Sequence, residues 1–215
     1  MKRKTLIITA VVGIATALGV VTLAYQSQRA DAAQGHAREV FLARAHAPTA
    51  GPTEAKVHIV EFLDPACGTC ATFYPFVKRM MAANPGKIRV SVRYAPFHNN
   101  SDYVVKVLEA TRKQGKYWEA LEALLAAQSS WAPNHSADPD LVWPQLAGLG
   151  LDLERVRQDM NAPEVAQVVQ QDIADAKALK VTQTPEFFVN GKPMPSFGYE
   201  QLTALVSDAL AKAYR

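Results

Sequence analysis

The spacing of apolar positions changes along the chain, and each change predicts an element. Residues 5–25 carry no charge and are dominated by Leu, Ile, Val, Ala and Gly. As a helix they reach roughly 30 Å, about one bilayer core. After a polar, Ala- and Gln-rich stretch comes Val57-His58-Ile59-Val60-Glu61-Phe62-Leu63, an apolar, β-branched run that predicts a strand. Asp64-Pro65 breaks it, because proline lacks a backbone donor and restricts the residue before it. A helix is expected from about Cys67 to Ala82, with Pro75 inside it and Asn84-Pro85-Gly86 ending it. Ile88 to Tyr94 then alternates apolar and polar residues, a second strand expected to run parallel to the first.

From Ser101 to Leu179 the period is helical. Val104, Val107, Leu108 and Thr111 mark one face, and Trp118, Leu121, Leu124 and Leu125 another. A polar, Pro-containing interruption runs from Trp131 to Pro139. Beyond it Asp152 stands where an N-cap belongs, and Asn161 and Glu164 have capping-box spacing. Val165, Val168, Val169, Ile173 and Ala176 continue the stripe, and all of these positions read as core. Glu186-Phe187-Phe188-Val189-Asn190-Gly191 predicts a strand entering a hairpin turn. Tyr199 to Ala213 closes the chain as a helix, with Leu202, Leu205, Val206 and Leu210 inward.

Charge separates the ends of the chain. The formal net charge is +3, from 23 basic and 20 acidic residues, and Lys2, Arg3 and Lys4 account for the whole excess. The remainder is balanced and shows no basic, aromatic-interleaved patch, so nucleic acid is not an expected partner. Basic residues ahead of an apolar run place that end in the cytoplasm and the rest of the chain outside. Residues 1–25 are therefore expected to be a membrane anchor, or a signal sequence cleaved near Ala30-Asp31-Ala32. Residues 26–50 read as a linker, His36 and His46 being solvated within it, and residues 51–215 as the domain.

The chain has two cysteines, Cys67 and Cys70, on the expected strand-to-helix turn. Three residues apart on a helix, they share a face and are close enough to form a disulfide. Unpaired N–H groups and the positive helix end favour a thiolate on Cys67, which makes it an attacking sulfur and a good leaving group. Cys70, one turn further in, is expected to be the resolving thiol. A purely structural disulfide is the weaker reading, because so short a loop removes little chain entropy. A zinc site wants about four ligands, and no second Cys-x-x-Cys or His-x-x-x-His is present. Two-coordinate Cu(I) on the sulfur pair stays open, since soft thiolates select it. Glu61, on an apolar strand, is either a satisfied buried carboxylate or a proton acceptor for Cys70. Asp64 reads as a turn or cap residue, and His98 either lies near the site or, the leading reading, is a surface histidine.

Glu61-Phe62, the Cys67-Gly68-Thr69-Cys70 box, Pro75, and Thr182-Gln183-Thr184-Pro185-Glu186-Phe187-Phe188-Val189-Asn190-Gly191 together resemble the thioredoxin superfamily. The long helical stretch between them resembles its DsbA-like branch. The resemblance implies an α/β thioredoxin fold (βαβ…ββα) with an all-helical insertion at about residues 100–180, preceded here by the N-terminal transmembrane helix. It implies a cis Thr184–Pro185 bond packed beside the dithiol, with Thr184 and Pro185 open to a substrate strand. It implies no cofactor other than the redox-active Cys67–Cys70 disulfide, and no metal. The expected activity is thiol–disulfide exchange with protein substrates carrying thiols or disulfides, in the periplasm at the bacterial cell membrane. A membrane redox partner, a quinone-linked oxidase or a thiol reductase, would reset the pair. Disulfide formation is the leading direction; reduction or isomerisation, or a non-enzymatic Cu(I)-binding module, are the alternatives. Gly68-Thr69 supplies no cationic ring beside Cys67, where strongly oxidising relatives carry Pro-His, so a less oxidising protein is expected.

Overall fold

The computed structural model describes residues 38–215 together with Thr22, Tyr25, Gln26 and Arg29. In chain order the strands are β1 (Thr49–Ala50), β2 (Val57–Leu63), β3 (Ile88–Tyr94), β4 (Glu186–Val189) and β5 (Lys192–Pro193). Helix α1 (Gly68–Ala83) joins β2 to β3, and α8 (Tyr199–Ala213) follows β5. Between β3 and β4 lie α2 (Ser101–Arg112), α3 (Tyr117–Ala126), α4 (Gln128–Trp131), α5 (Pro139–Gln145), α6 (Leu153–Asp159) and α7 (Pro163–Ala178), with a 3-10 turn at Pro133–His135. This is the expected strand–helix–strand, helical insertion, strand–strand–helix plan.

The sheet order is β1-β3-β2-β4-β5. β2 and β3 run parallel from Val57 opposite Ile88 to Leu63 opposite Tyr94, as a crossover through α1 requires. β4 pairs antiparallel with β2, Glu61 facing Phe187. Being central, β2 is buried on both faces, which is why its hydrophobic run is nearly continuous. One apolar cluster packs Phe73 and Val77 of α1 with Leu202 and Val206 of α8 against Val57, Ile59 and Phe187. A second fills the insertion and reaches the dithiol, from Leu108, Leu121, Leu124 and Trp131 to Cys67 and Cys70.

Alternation along β3 suggests a solvated polar face, but Ser91 and Arg93 are buried. Ser91 meets Thr49 and His58, and the physical reason for Arg93 is a charge cluster built from distant segments. Arg93 donates to Asp172 Oδ1 (2.7 Å) and Asp175 Oδ2 (2.6 Å) on α7, and to the Phe41 carbonyl (2.5 Å). Arg44 adds two bonds of 2.7 Å to Asp175, and His46 Nε2 lies 2.6 Å from Asp172 Oδ1. Burial acts to raise the Asp175 carboxyl, yet the bonds from Arg44 and Arg93 outweigh it and hold its pKa below the ordinary value. A buried guanidinium needs every donor occupied, and the residues before β1 complete the set.

Those contacts move the expected domain boundary. The linker was expected to run to residue 50, but Leu42 is buried, Arg44 and His46 are paired, and β1 adds an antiparallel edge to β3 at Thr49 opposite Ser91. The chain divides into units at 1–40 and 41–215. His46 is thus a paired residue of the domain, not a solvated linker side chain. One cap also differs. Asp152 caps α6 as expected, accepting from Arg155 N (3.0 Å), but α7 starts from Ala162 without a side-chain cap. Pro163 takes the first helical position, and Asn161 turns back to donate to the Arg157 carbonyl instead. The anchor or signal expected over residues 1–25 lies outside the described residues, Thr22 and Tyr25 apart. Among the described residues no helix is long and apolar enough to cross a membrane.

Candidate active site

The site begins with Asp64, the residue that ends β2. Its buried carboxylate accepts from Ala66 N (2.8 Å), Phe97 N (2.7 Å), His98 N (2.9 Å) and the Ser101 hydroxyl. One side chain therefore ties the turn before α1 to the loop after β3. Cys67 follows as the N-cap of α1, in extended backbone at φ −80° and ψ 116°, its own N–H donating to the Asp64 carbonyl (3.0 Å). Gly68 and Thr69 occupy the first helical positions, half-buried, and Cys70 points into the core. Both cysteines are free thiols; Cys67 is 5% exposed and Cys70 0%.

The residues expected to meet here do so. The Thr184–Pro185 bond is cis, and the Cys67 thiol donates to the Thr184 carbonyl at 3.2 Å. Pro185 is buried and Thr184 half-buried. Glu61 sits within β2 at 1% exposure, and its Oε1 has no hydrogen-bond partner.

Electrostatics push the two sulfurs apart. A hydrogen bond from the Cys70 thiol is the largest influence on Cys67; burial opposes it, and the Thr184 side chain and the backbone of Cys70 and Thr69 reinforce it. The result is a Cys67 pKa lowered to about 5. The expected helix-end effect has the right sign, but the neighbouring thiol contributes most. Cys70 moves the other way, raised by burial, by its bond to Cys67 and by the charge of Glu61. Burial, and then the charge of Cys67, raise the Glu61 carboxyl to about 8. One sulfur thus prefers to be an anion, while its neighbour and the carboxyl beneath prefer to hold protons.

Two histidines stand at the turn, one read as a surface residue and the other without any expected role. His98 Nδ1 lies 2.7 Å from Asp64 Oδ2, and its ring stacks on His135 at 4.9 Å between centroids. His135 Nδ1 lies 3.3 Å from Gly68 N and 3.2 Å from the Ala66 carbonyl. A Cys-Gly-Thr-Cys box without an internal imidazole therefore has one beside it, delivered from the insertion. Gln128 was also missed; its amide donates to the carbonyls of Pro65 (2.7 Å) and Cys67 (3.0 Å). No local motif marks Gln128 or His135, because their partners lie more than sixty positions away (63 for Gln128 and Pro65, 67 for His135 and Gly68). Cys67 and Cys70 are the soft-ligand pair of the site. Among the described residues no group of three or more His, Cys, Asp or Glu is placed to hold a metal ion.

Comparison with known proteins adds to this geometry. The thioredoxin family model matches residues 44–208. The chain is 30% identical over 157 residues to the Na(+)/H(+) antiporter NhaA of Herminiimonas arsenicoxydans, a match covering 73% of this chain and 24% of that protein. It spans about a quarter of the length of the curated relatives it matches. Among solved structures, a thioredoxin-like oxidoreductase from Silicibacter pomeroyi DSS-3 superposes with a TM-score of 0.70 at 29% identity, over 82% of this chain and 98% of that one. Alpha-DsbA1 of Wolbachia pipientis has the same fold, with a TM-score of 0.70 at 20% identity over 82% of this chain and 96% of its own.

Proposed function

Since the chain belongs to the thioredoxin family, we propose that it is a DsbA-like thiol–disulfide oxidoreductase that introduces disulfides into proteins of the bacterial cell envelope. The observation that carries this reading is the Cys67–Cys70 pair at the start of α1 beside the cis Thr184–Pro185 bond, where the surroundings hold Cys67 down to about 5 and Cys70 up. A dithiol whose outer member rests as a thiolate is stable when reduced, and its disulfide is correspondingly ready to be given away.

In the proposed cycle a substrate thiolate attacks Sγ of Cys67 in the Cys67–Cys70 disulfide. A substrate–Cys67 bond forms, the Cys67–Cys70 bond breaks, and Cys70 leaves with the electron pair and takes a proton. A second substrate thiolate then attacks the substrate sulfur of the mixed disulfide. The substrate disulfide forms and Cys67 departs as the thiolate. Two electrons have passed from substrate to enzyme, and a membrane oxidase linked to quinone removes them. The carbonyl of Thr184, 3.2 Å from Sγ of Cys67, marks where an extended substrate backbone would run, with Pro185 beneath it. Residues 1–25 would hold the domain at the outer face of the cytoplasmic membrane, in keeping with the basic flank ahead of the apolar run.

Glu61 is the proton carrier in this scheme. Uncharged near neutral pH, it supplies a proton to Cys70 as that sulfur leaves and takes it back when the pair is reoxidised. Glu61→Gln preserves shape but not proton transfer. Release of Cys70 during attack on the disulfide is expected to slow by about tenfold or more, with loss of the inflection near pH 8. Rapid-quench measurement of the mixed disulfide reads this, and an unchanged rate and pH profile would remove Glu61 from the mechanism.

The reading as a whole is tested by mixing oxidised protein with a reduced, unfolded protein substrate containing two cysteines. Transfer of one disulfide per Cys67–Cys70 pair is the expected result. Folded, oxidised protein that transfers none overturns it.

A further inference from the structure

We propose that His135, carried by the helical insertion, is a positioning residue that sets the charge and backbone geometry around Cys67. The inference rests on the thiol–disulfide reading above and assigns the redox pair a partner outside the Cys67–Cys70 box.

Four observations converge on that side chain. First, its Nδ1 faces the backbone on both sides of Cys67, 3.3 Å from Gly68 N and 3.2 Å from the Ala66 carbonyl. Second, Gly68 leaves room for the ring, since a Cβ at that position would come within 3.3 Å of His135 Cε1. Third, the backbone is held left-handed at two consecutive non-glycine residues, Asn134 (φ 53°) and His135 (φ 61°), a conformation that persists only where the surroundings enforce it. Fourth, the enforcing contacts are visible. The segment is laced to the loop after β3 by the Asn99–Ser136 bridge, by Ala137 N to the Asn99 carbonyl (3.0 Å) and by the Asn100 amide to the Ala137 carbonyl (3.0 Å). That lacing brings His98 and His135 face to face.

The two contacts of Nδ1 are mutually exclusive. A bare Nδ1 accepts the Gly68 N–H, whereas a protonated Nδ1 donates to the Ala66 carbonyl and frees that N–H. Which bond is made depends on whether Nδ1 carries a proton, and a doubly protonated imidazole there would set a positive charge beside the Cys67 thiolate. The groups that face it are His98, stacked on its ring; Asp64, which accepts from His98 Nδ1; and Cys67, between its two backbone partners, with Glu61 beneath the sulfur pair. Stacked imidazoles resist carrying two charges at once, and Asp64 anchors the inner ring by its Nδ1–H. The outer ring, His135, is exposed and turns its Nδ1 to the backbone around Cys67. A cation there stabilises the thiolate of the reduced pair and nothing in the neutral disulfide, so it makes the protein a stronger oxidant than Gly68-Thr69 alone would.

The test uses the full chain, reduced, with two readouts: the alkylation rate of Cys67 by iodoacetamide across pH, and the equilibrium with glutathione. Wild type is expected to show two ionisations in its alkylation profile. His135→Asn keeps a polar group at the Nδ1 position but cannot take a proton. It is expected to show a single ionisation and a glutathione equilibrium displaced toward the disulfide by about threefold or more, as loss of a nearby, partly screened charge implies. His135→Ala should match it in equilibrium. His98→Asn keeps the bond to Asp64 while removing the stacked ring, and should reproduce part of the shift if the other variants unfold. A wild-type profile and an equilibrium within about twofold of wild type in His135→Asn overturn the proposal. An ordinary, slow thiol at Cys67 in the wild type would instead overturn the redox reading on which it rests.

Discussion

Cys67→Ser is expected to lower the rate of disulfide exchange by about a thousandfold or more, because serine forms no disulfide and Cys70 is sealed from solvent. Cys70→Ala should behave differently. It keeps the acidic sulfur, so attack on a substrate disulfide still occurs, but nothing inside the protein displaces the substrate. A mixed disulfide through Cys67 should therefore accumulate, visible as a mass increase on the full chain and reversed by dithiothreitol. The asymmetry follows from position along α1. Cys67 caps the helix beside the Thr184 carbonyl, while Cys70 points into the cluster of Leu108, Leu124 and Trp131. Exchange that survives in Cys67→Ser and disappears in Cys70→Ala would reverse the assignment.

The second large effect is a pH-dependent difference in stability between the two redox forms. Cys67 titrates near 5 in the folded, reduced protein, against 9.0 for an ordinary cysteine. Between those values the unfolded chain holds the proton and the folded one does not, so stability rises with pH across the window and is lost as pH falls toward 5. The disulfide form has no such group. The reduced form should therefore gain on the oxidised form by on the order of 1 kcal/mol per pH unit between about pH 5 and pH 9. The crosslink itself adds an offset of about 2 kcal/mol in favour of the oxidised form that does not vary with pH. Glu61 has the opposite sign. Its folded value of about 8 lies above the ordinary 4.5, so its contribution is complete below 4.5 and is lost as pH rises through 8. Burial within β2, the larger cause of that shift, does not involve the sulfurs and largely cancels in the difference. Urea titrations of each form at several pH values read the gap directly, and a gap that is flat with pH would contradict the assigned acidity.

The parts of the fold carried by local signals were legible in the sequence. β2, the Asp64-Pro65 break, α1 and the Phe187-Phe188 strand each announce themselves through residues within a few positions of one another, and the expected bounds of α1 are off by a single residue at each end. The dithiol was legible for the same reason, whereas the cis Thr184–Pro185 bond was expected from the family resemblance. What escaped depends on distant partners. Arg44 meets Asp175 across 131 positions, so nothing near Arg44 marks it as part of the domain. Arg93 looks like the polar half of an alternating strand until α7 and the segment before β1 close over it. His135 lies in a polar, Pro-containing interruption that reads as loop, and only the left-handed backbone there turns its ring toward Gly68. Asn161 failed as a cap because Pro163 starts the helix from Ala162.

The most direct measurement is the alkylation rate of Cys67 in the folded, reduced Cys70→Ala protein across pH 4 to 10, compared with the same protein in urea. Removing Cys70 takes away the largest single influence on the outer sulfur, so the paired measurement on the wild-type protein is needed alongside. For wild type the structure predicts a rate whose main rise has its midpoint near 5, the second inflection proposed for His135 being smaller. For Cys70→Ala it predicts a midpoint displaced upward, and for the unfolded chain one near 9.0. Coincident midpoints for folded wild type and unfolded chain would contradict the account at its root.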